Sequence, residues 1–217
     1  MSTGVERLDR RRGAVPVAMG MKAALALALV VALAVPLDHL AGKGMALRFP
    51  LFMLVAVAVP LAWRWRRLSP YPAAADTLLV APFVLDTVAN IAGFYDSFGF
   101  TDDVVHPLSG MLVVLAFHAW RFRRLGGGGG SRGSSWLLGA GIGALAIVGW
   151  EVAEWAAVEA GFDFGVPLTY GDTVGDLASS TAGGMVGSWL GVRFLGASQA
   201  AAPGVTEARP CKSDPAG

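Results

Sequence analysis

The chain has 217 residues, of which 54% are hydrophobic and 15% are charged, and its mean hydropathy is +0.56. Soluble domains carry about 25% charged residues, so this composition excludes an ordinary soluble protein and indicates a membrane protein. The net charge of +1 leaves no basic surface for nucleic acid, and the single cysteine, Cys211, excludes a disulfide framework or a thiolate metal cage.

Six apolar segments are long enough to cross a bilayer as helices. A bilayer core of about 30 Å needs about 20 apolar residues per helix, and a helix satisfies its own backbone hydrogen bonds in lipid. The segments are rich in Ala, Leu and Gly and lack the alternation typical of strands. In chain order the predicted spans are 17–37, 46–63, 75–95, 104–120, 136–157 and 173–195. The sequence therefore predicts an all-α polytopic membrane helix bundle within one transmembrane domain, 16–196.

Arginine and lysine concentrate on alternate connections between these spans. They precede the first span and follow the second, fourth and sixth, whereas the other side of the predicted bundle carries only Lys43 and Arg48. Positively charged connections stay in the cytoplasm. Both termini are therefore predicted to be cytoplasmic.

Three segments fall outside the predicted spans. Residues 1–15 form a polar, basic N-terminal tail, residues 126–135 form a Gly/Ser linker, and residues 197–217 form a tail that is predicted to be disordered. The basic start followed by an apolar run also fits a cleaved signal peptide. A retained first helix is the preferred interpretation.

Four polar clusters interrupt the apolar spans. An ionisable group in hydrocarbon costs several kcal/mol and rarely persists there without a partner and a function. The predicted orientation places all four clusters at similar depth, in the outer third of the membrane. They are Asp86 with Asn90, Asp102-Asp103 with His106, Glu151 with Glu154, and Asp172 with Asp176.

Glycines indicate which way these groups face. Gly183 and Gly187 form a GxxxG pair on the helix face that carries Asp176, and such pairs let two helix backbones approach closely. Gly139 and Gly143 form a similar pair on the helix that carries the glutamates. The acids are therefore predicted to point into the bundle.

Converging carboxylates and an imidazole suit two kinds of chemistry. Oxygen ligands with an added histidine suit a divalent metal ion, whereas paired carboxylates can share a proton for acid–base work or a relay. In the metal hypothesis the ligands are His106, Asp103, Asp172 and Asp176, and Glu151 and Glu154 are the catalytic residues.

Structural roles are the alternative for several of these residues. Asp102, Asp103 and Asp172 can cap helix starts, His106 can make a structural hydrogen bond, and Asp86 with Asn90 can hold neighbouring helices together. Asp76 and His118 are expected to be rim residues near helix ends.

Three motifs carry a family resemblance: "DDVVHPLSGM" (102–111), "WEVAEW" (150–155) and "YGDTVGDLASSTAGG" (170–184). They resemble the uncharacterised YjdF-type family of bacterial inner-membrane proteins. They are more distantly similar to the VanZ-like family linked to teicoplanin resistance, which usually has Gln at the position of Glu154 and Asn at that of Ser180. The motif residues carried over are Asp103, His106, Glu151, Glu154, Asp172, Asp176 and Gly183. The resemblance implies a multi-pass protein of the bacterial cytoplasmic (inner) membrane and supplies no reaction.

Taken together, the sequence favours a membrane-embedded, metal-assisted enzyme that acts on a lipid-linked or envelope substrate. The expected cofactor is a divalent metal ion, and the expected partner is the lipid bilayer. A proton- or cation-coupled transporter and a purely structural membrane protein remain the alternatives.

Overall fold

The computed structural model describes residues 14–66, 71–125, 130–162 and 169–196. Within these residues the secondary structure is helical, which confirms the all-α prediction. The helices are α1 (Ala14–Ala34), α2 (Met45–Trp65), α3 (Ala73–Ile91), α4 (Phe94–Ser97), α5 (Thr101–Leu125), α6 (Arg132–Glu159) and α7 (Tyr170–Leu190). A 3-10 turn (Asp38–Leu40) precedes α2, and a π-helical turn (Gly191–Gly196) follows α7.

Five of these helices, α1, α2, α3, α5 and α6, are long and apolar enough to cross a membrane. The sixth predicted span, 173–195, is also helical, because α7 covers most of it. With 21 residues α7 is as long as α1, but it does not reach the same apolarity within the described residues. The sequence of α7 contains two aspartates and several Ser, Thr and Gly residues, which lower its hydropathy below that of α1.

The third predicted span, 75–95, ends earlier than expected. Gly93 adopts a left-handed backbone conformation with φ of +70°, which favours glycine and stops the helix after Ile91. Tyr95 therefore lies in the separate short helix α4.

Two of the segments predicted to be non-helical are partly helical. The Ser131 hydroxyl accepts a hydrogen bond from the Ser134 N–H at 3.1 Å and caps α6, so residues 132–135 of the predicted linker belong to this helix. Helix α1 begins at Ala14, inside the predicted N-terminal tail. The predicted C-terminal tail, 197–217, lies outside the described residues.

The long helices form two groups. Helices α1, α2 and α3 pack together, helices α5, α6 and α7 pack together, and the contact between α3 and α5 joins the groups. The first group buries an apolar core of Leu25, Leu29, Phe52, Ala56 and Val80. This arrangement leaves α2 and α6 facing each other across the space between the groups.

Glycines bring α5 and α7 into close contact. A Cβ atom at Gly187 would lie 2.5 Å from the Met111 carbonyl oxygen, and one at Gly183 would overlap the Pro107 carbonyl oxygen. On α6, a Cβ at Gly143 would lie 2.6 Å from a Val114 methyl group. The prediction that these glycines pack against neighbouring helices is confirmed, and the α5–α7 contact fixes the position of the first turns of α5 against α7.

The opposite end of the bundle contains two further sets of polar contacts. Asp76 is fully buried at the start of α3, and its carboxylate forms an ion pair of 2.6 Å with Lys22 of α1. The Tyr71 hydroxyl donates to the same carboxylate. His118 is also fully buried and is hydrogen-bonded to the Ser188 hydroxyl at 2.9 Å. The expectation that Asp76 and His118 are rim residues is therefore wrong, because partners on other helices allow their burial.

Candidate functional site

His106 lies at the centre of the candidate site. Asp102 and His106 are one helical turn apart on α5, and the His106 Nε2 atom is 3.3 Å from an Asp102 carboxylate oxygen. The same nitrogen is 3.6 Å from a carboxylate oxygen of Asp176 on α7. Two helices thus place two carboxylates around one face of the imidazole.

Ser180 contacts both the imidazole and the backbone of His106. Its hydroxyl donates to the His106 backbone carbonyl at 3.2 Å, and it also lies 3.1 Å from His106 Nδ1. When the single hydroxyl proton is given to the carbonyl, the Ser180 oxygen accepts a hydrogen bond from Nδ1–H. The lone pair of the neutral imidazole is then on Nε2, which faces the two carboxylates. A lone pair facing carboxylate oxygens is repulsive unless a cation or a second proton lies between them.

The three side chains form a ligand set for a metal ion. Asp102, His106 and Asp176 each offer one ligand atom, and these atoms all lie within 4.8 Å of one another. All three side chains are partly buried. Imidazole nitrogen with carboxylate oxygen suits Zn²⁺, Mn²⁺ or Fe²⁺.

The other two predicted ligands lie outside this set. The Asp103 side chain is exposed, and its neighbour Asp102 approaches His106 because a separation of four residues returns to the same helix face. Asp172 lies one turn before Asp176 and lines the adjacent cavity. It is not the cap of α7, because the Thr169 hydroxyl accepts from the Asp172 N–H at 3.2 Å.

The two predicted catalytic glutamates lie on α6 beside the ligand set. Glu151 is 7% exposed, and its Oε1 atom has no hydrogen-bond partner among the described residues. It lies within electrostatic range of His106 and Asp172. Glu154 is half-buried and lines the cavity. Burying a carboxylate oxygen without a hydrogen-bond donor costs free energy. The Glu151 carboxylate therefore needs a proton or a nearby cation.

Arg48 is a buried residue of this polar region that the sequence reasoning missed. It is 8% exposed, and its guanidinium lies 2.5 Å from the Asp86 carboxylate. Asn90 donates to the other Asp86 oxygen at 3.2 Å, and the Tyr95 hydroxyl donates to it at the same distance. The available signal was the position of Arg48, a basic residue near the start of an apolar span on the side with few positive charges.

Two groups of this polar region lie outside the spans and have shifted pKa values. Burial, together with the nearby Asp86 charge, raises the pKa of Tyr95, so its phenol stays protonated and donates to Asp86. Lys43 lies 2.5 Å from the Asp96 carboxylate, and this hydrogen bond lowers the pKa of Asp96 below its ordinary value.

A cavity of about 800 Å³ opens from the ligand set into the space between the two helix groups. Its size is within the range of small-molecule sites. The polar end contains Lys43, Arg48, Asp102, His106, Glu154 and Asp176. The rest is lined by apolar and aromatic side chains that include Phe52, Phe83, Val113, Ile147 and Trp150. The cavity is therefore amphiphilic, with the candidate metal ligands at its polar end.

The helical fold and the five apolar helices define the protein as a multi-pass membrane protein. The chain matches the family described as "Predicted membrane protein (DUF2238)" over residues 17–197, and it belongs to that family. The YjdF-type resemblance fits this family, whereas the similarity to VanZ-like proteins receives no support. No curated protein and no solved structure matches the chain.

Proposed function

We propose that the protein is a metal-assisted enzyme that acts on a lipid-linked substrate of the cell envelope. The observation that carries this proposal is the meeting of Asp102, His106 and Asp176, whose ligand atoms all lie within 4.8 Å of one another. The contact of Ser180 with His106 Nδ1 supports it, because Nδ1–H donation to this hydroxyl turns the Nε2 lone pair toward the two carboxylates. A divalent cation removes the repulsion in this arrangement and uses all three groups as ligands.

The residues divide into ligands and proton acceptors. Asp102, His106 and Asp176 would hold the ion, which when bound supplies Lewis acidity and a more acidic water. Glu154 lines the cavity beside these ligands and is the candidate base for a proton released from that water. Glu151, one turn earlier on α6, is buried beside these ligands and is a second candidate proton acceptor.

The shape of the cavity supports a lipid-linked substrate. The ligands lie at its polar end, and the aromatic and aliphatic lining continues from there between the helix groups. An amphiphile can place its polar head against the ligands and its tail against the apolar lining. The positive-inside prediction places the polar end at the outer side of a bacterial inner membrane.

Metal binding is the first test of this proposal. Purified protein in nanodiscs is titrated with Zn²⁺ or Mn²⁺ by calorimetry, comparing Asp102→Asn with Asp103→Asn as the matched control. The first substitution is expected to abolish binding at the site and the second to leave it unchanged, since Asp102 lies beside His106 whereas the Asp103 side chain is exposed. Ser180→Ala is expected to weaken binding by about 10–100-fold, because it removes the hydrogen bond that orients His106. Equal affinity in the wild type and Asp102→Asn would rule out this metal centre.

Turnover is the second test. Metal-loaded protein is incubated with a bacterial envelope lipid extract, and the lipids are compared by mass spectrometry with those from an incubation with Glu154→Gln. A lipid converted by the wild type and not by the variant supports the enzyme. Ion uptake into sealed liposomes that Asp102→Asn abolishes, with no lipid converted, would instead show that the site serves transport.

A further inference from the structure

The cavity carries more acidic than basic side chains. Among the acids that line it, Asp86 is paired with Arg48 and Asp96 with Lys43. Asp102 and Asp176 flank His106 and belong to the metal ligand set. The remaining two, Glu154 and Asp172, make no ion pair within the described part of the chain.

This negative surplus persists when a divalent ion is bound. By formal charge, one such ion balances Asp102 and Asp176 and leaves Glu154 and Asp172 without a cation. The Arg48 guanidinium pairs with Asp86 and also interacts electrostatically with Glu154. Carboxylates in a low-dielectric site need a cationic partner.

An ammonium group fits this environment. It offers three hydrogen-bond donors, which is the complement of unpaired carboxylate oxygens. The aromatic rings of Tyr95 and Trp150 line the same cavity and can stabilise a cation through their faces. A phosphate or carboxylate head would instead meet like charge from Glu154 and Asp172.

From its polar end to its apolar end, the cavity is long enough for a head group and part of an alkyl tail. Arg48 at the polar end and Ala58 at the apolar end both line it, and they are ten residues apart on α2. At 1.5 Å per residue this corresponds to about 15 Å of depth. Ala146 and Ile147 of α6 line the same depth on the opposite wall.

The gap between α2 and α6 provides a route from the bilayer. These helices belong to different groups, and they meet where the Phe52 and Trp150 rings pack together with centroids 6.3 Å apart, so the opening lies beside this ring contact. A second crevice of about 40 Å³ lies between the same helices and is lined by Leu51, Ala153 and Glu154. Leu54 of α2 lines the main cavity and is 61% exposed. This side of the cavity is therefore accessible from the bilayer.

We propose that the substrate of the site is an amphiphile whose polar head carries an ammonium group and which enters from the bilayer between α2 and α6. That this ligand is the substrate of a reaction rests on the proposed function. The chemistry of its head and tail rests on the lining of the cavity. Its head would contact Glu154 and Asp172, and its tail would occupy the apolar part of the cavity.

The test compares three probes with the same tail and different heads. Equilibrium binding of radiolabelled dodecylamine, dodecyl phosphate and dodecyl maltoside is measured with the protein in nanodiscs, with empty nanodiscs subtracted. Saturable binding of dodecylamine in preference to the other two is expected. The double variant Glu154→Gln/Asp172→Asn is expected to weaken dodecylamine binding about tenfold or more, because it removes charged hydrogen bonds.

Matched tryptophan variants test the tail position. Ala146→Trp fills the cavity wall, whereas Leu145, its neighbour in sequence, is 70% exposed and does not line the cavity. Thermal melting first confirms that both variants fold. Ala146→Trp is then expected to abolish dodecylamine binding, and Leu145→Trp is expected to retain it.

The outcomes separate this inference from the proposed function. Tighter binding of dodecyl phosphate than of dodecylamine, or equal effects of the two tryptophan variants, would overturn the inference even if the metal centre is present. Amine binding that survives in a protein without a metal site would support the ligand assignment and reject the enzyme.

Discussion

Gly183→Ala tests how the contact between α5 and α7 supports the site. A methyl group at this position would overlap the Pro107 carbonyl oxygen and lie 2.7 Å from Pro107 Cα. Ordinary contact begins at 3.4 Å, so the helices must separate by at least 3.4 − 2.7 = 0.7 Å. Since both partners are backbone atoms, no side chain can move aside. Overpacking of this kind costs about 1–3 kcal/mol.

The same displacement reaches the candidate metal ligands. Ser180 lies three residues before Gly183 on α7, and its hydroxyl is 3.1 Å from His106 Nδ1. Adding the 0.7 Å from the glycine contact gives 3.8 Å, which is too long for a hydrogen bond. Gly183→Ala is therefore expected to lower both the melting temperature and the affinity for a divalent metal.

Gly175→Ala is the matched control on the same helix. A Cβ at Gly175 meets no atom within 4 Å, so alanine there is expected to be neutral or to stabilise α7 by about 0.5–1 kcal/mol. Both variants are compared in nanodiscs by thermal melting and by metal titration calorimetry. If Gly183→Ala melts and binds metal like Gly175→Ala, the α5–α7 backbone contact does not position the site, and the reasoning is refuted.

Two further predictions concern ion pairs away from the ligand set. Asp76→Ala removes the partner of Lys22 and is expected to lower the free energy of unfolding by about 3–5 kcal/mol, measured by thermal or denaturant unfolding. A loss below about 1 kcal/mol would contradict a stabilising role of this buried pair. The pKa of Asp96 is lowered by its hydrogen bond to Lys43, so this pair stabilises the fold above the ordinary pKa of 3.8 and is lost as the pH falls through the folded value. Lys43→Met should return the NMR-measured pKa of Asp96 toward 3.8, and an unchanged value would show that the pair is absent in solution.

Much of the fold follows from local features of the sequence. Apolar length predicts α1, α2, α3, α5 and α6, because a helix in lipid must satisfy its own backbone. The close approach at Gly183 follows from the GxxxG spacing. The end of α3 was harder to place, since the left-handed turn at Gly93 lies within a continuous apolar run. Apolarity defines a span but not the residue at which its helix stops.

The site could be predicted only in part, because ligand choice depends on helix rotation. The sequence indicated His106 and Asp176, which the structure brings to 3.6 Å from each other. It also indicated Asp103, although Asp102 is the acid that faces the imidazole. Two adjacent aspartates cannot be distinguished by spacing alone when one is three and the other four residues from the histidine. The contact between Ser180 and His106 could not be predicted either, because it requires α5 and α7 to be neighbours in the bundle.

The most direct test of the central claim is X-ray absorption spectroscopy of the Zn²⁺-loaded protein in nanodiscs. The wild type should show one imidazole nitrogen at about 2.0–2.1 Å together with carboxylate oxygens. His106→Ala should lose the imidazole signal, and His39→Ala should keep it, because His39 is instead hydrogen-bonded to the Ile91 carbonyl. An imidazole signal that persists in His106→Ala would contradict a metal centre built from Asp102, His106 and Asp176.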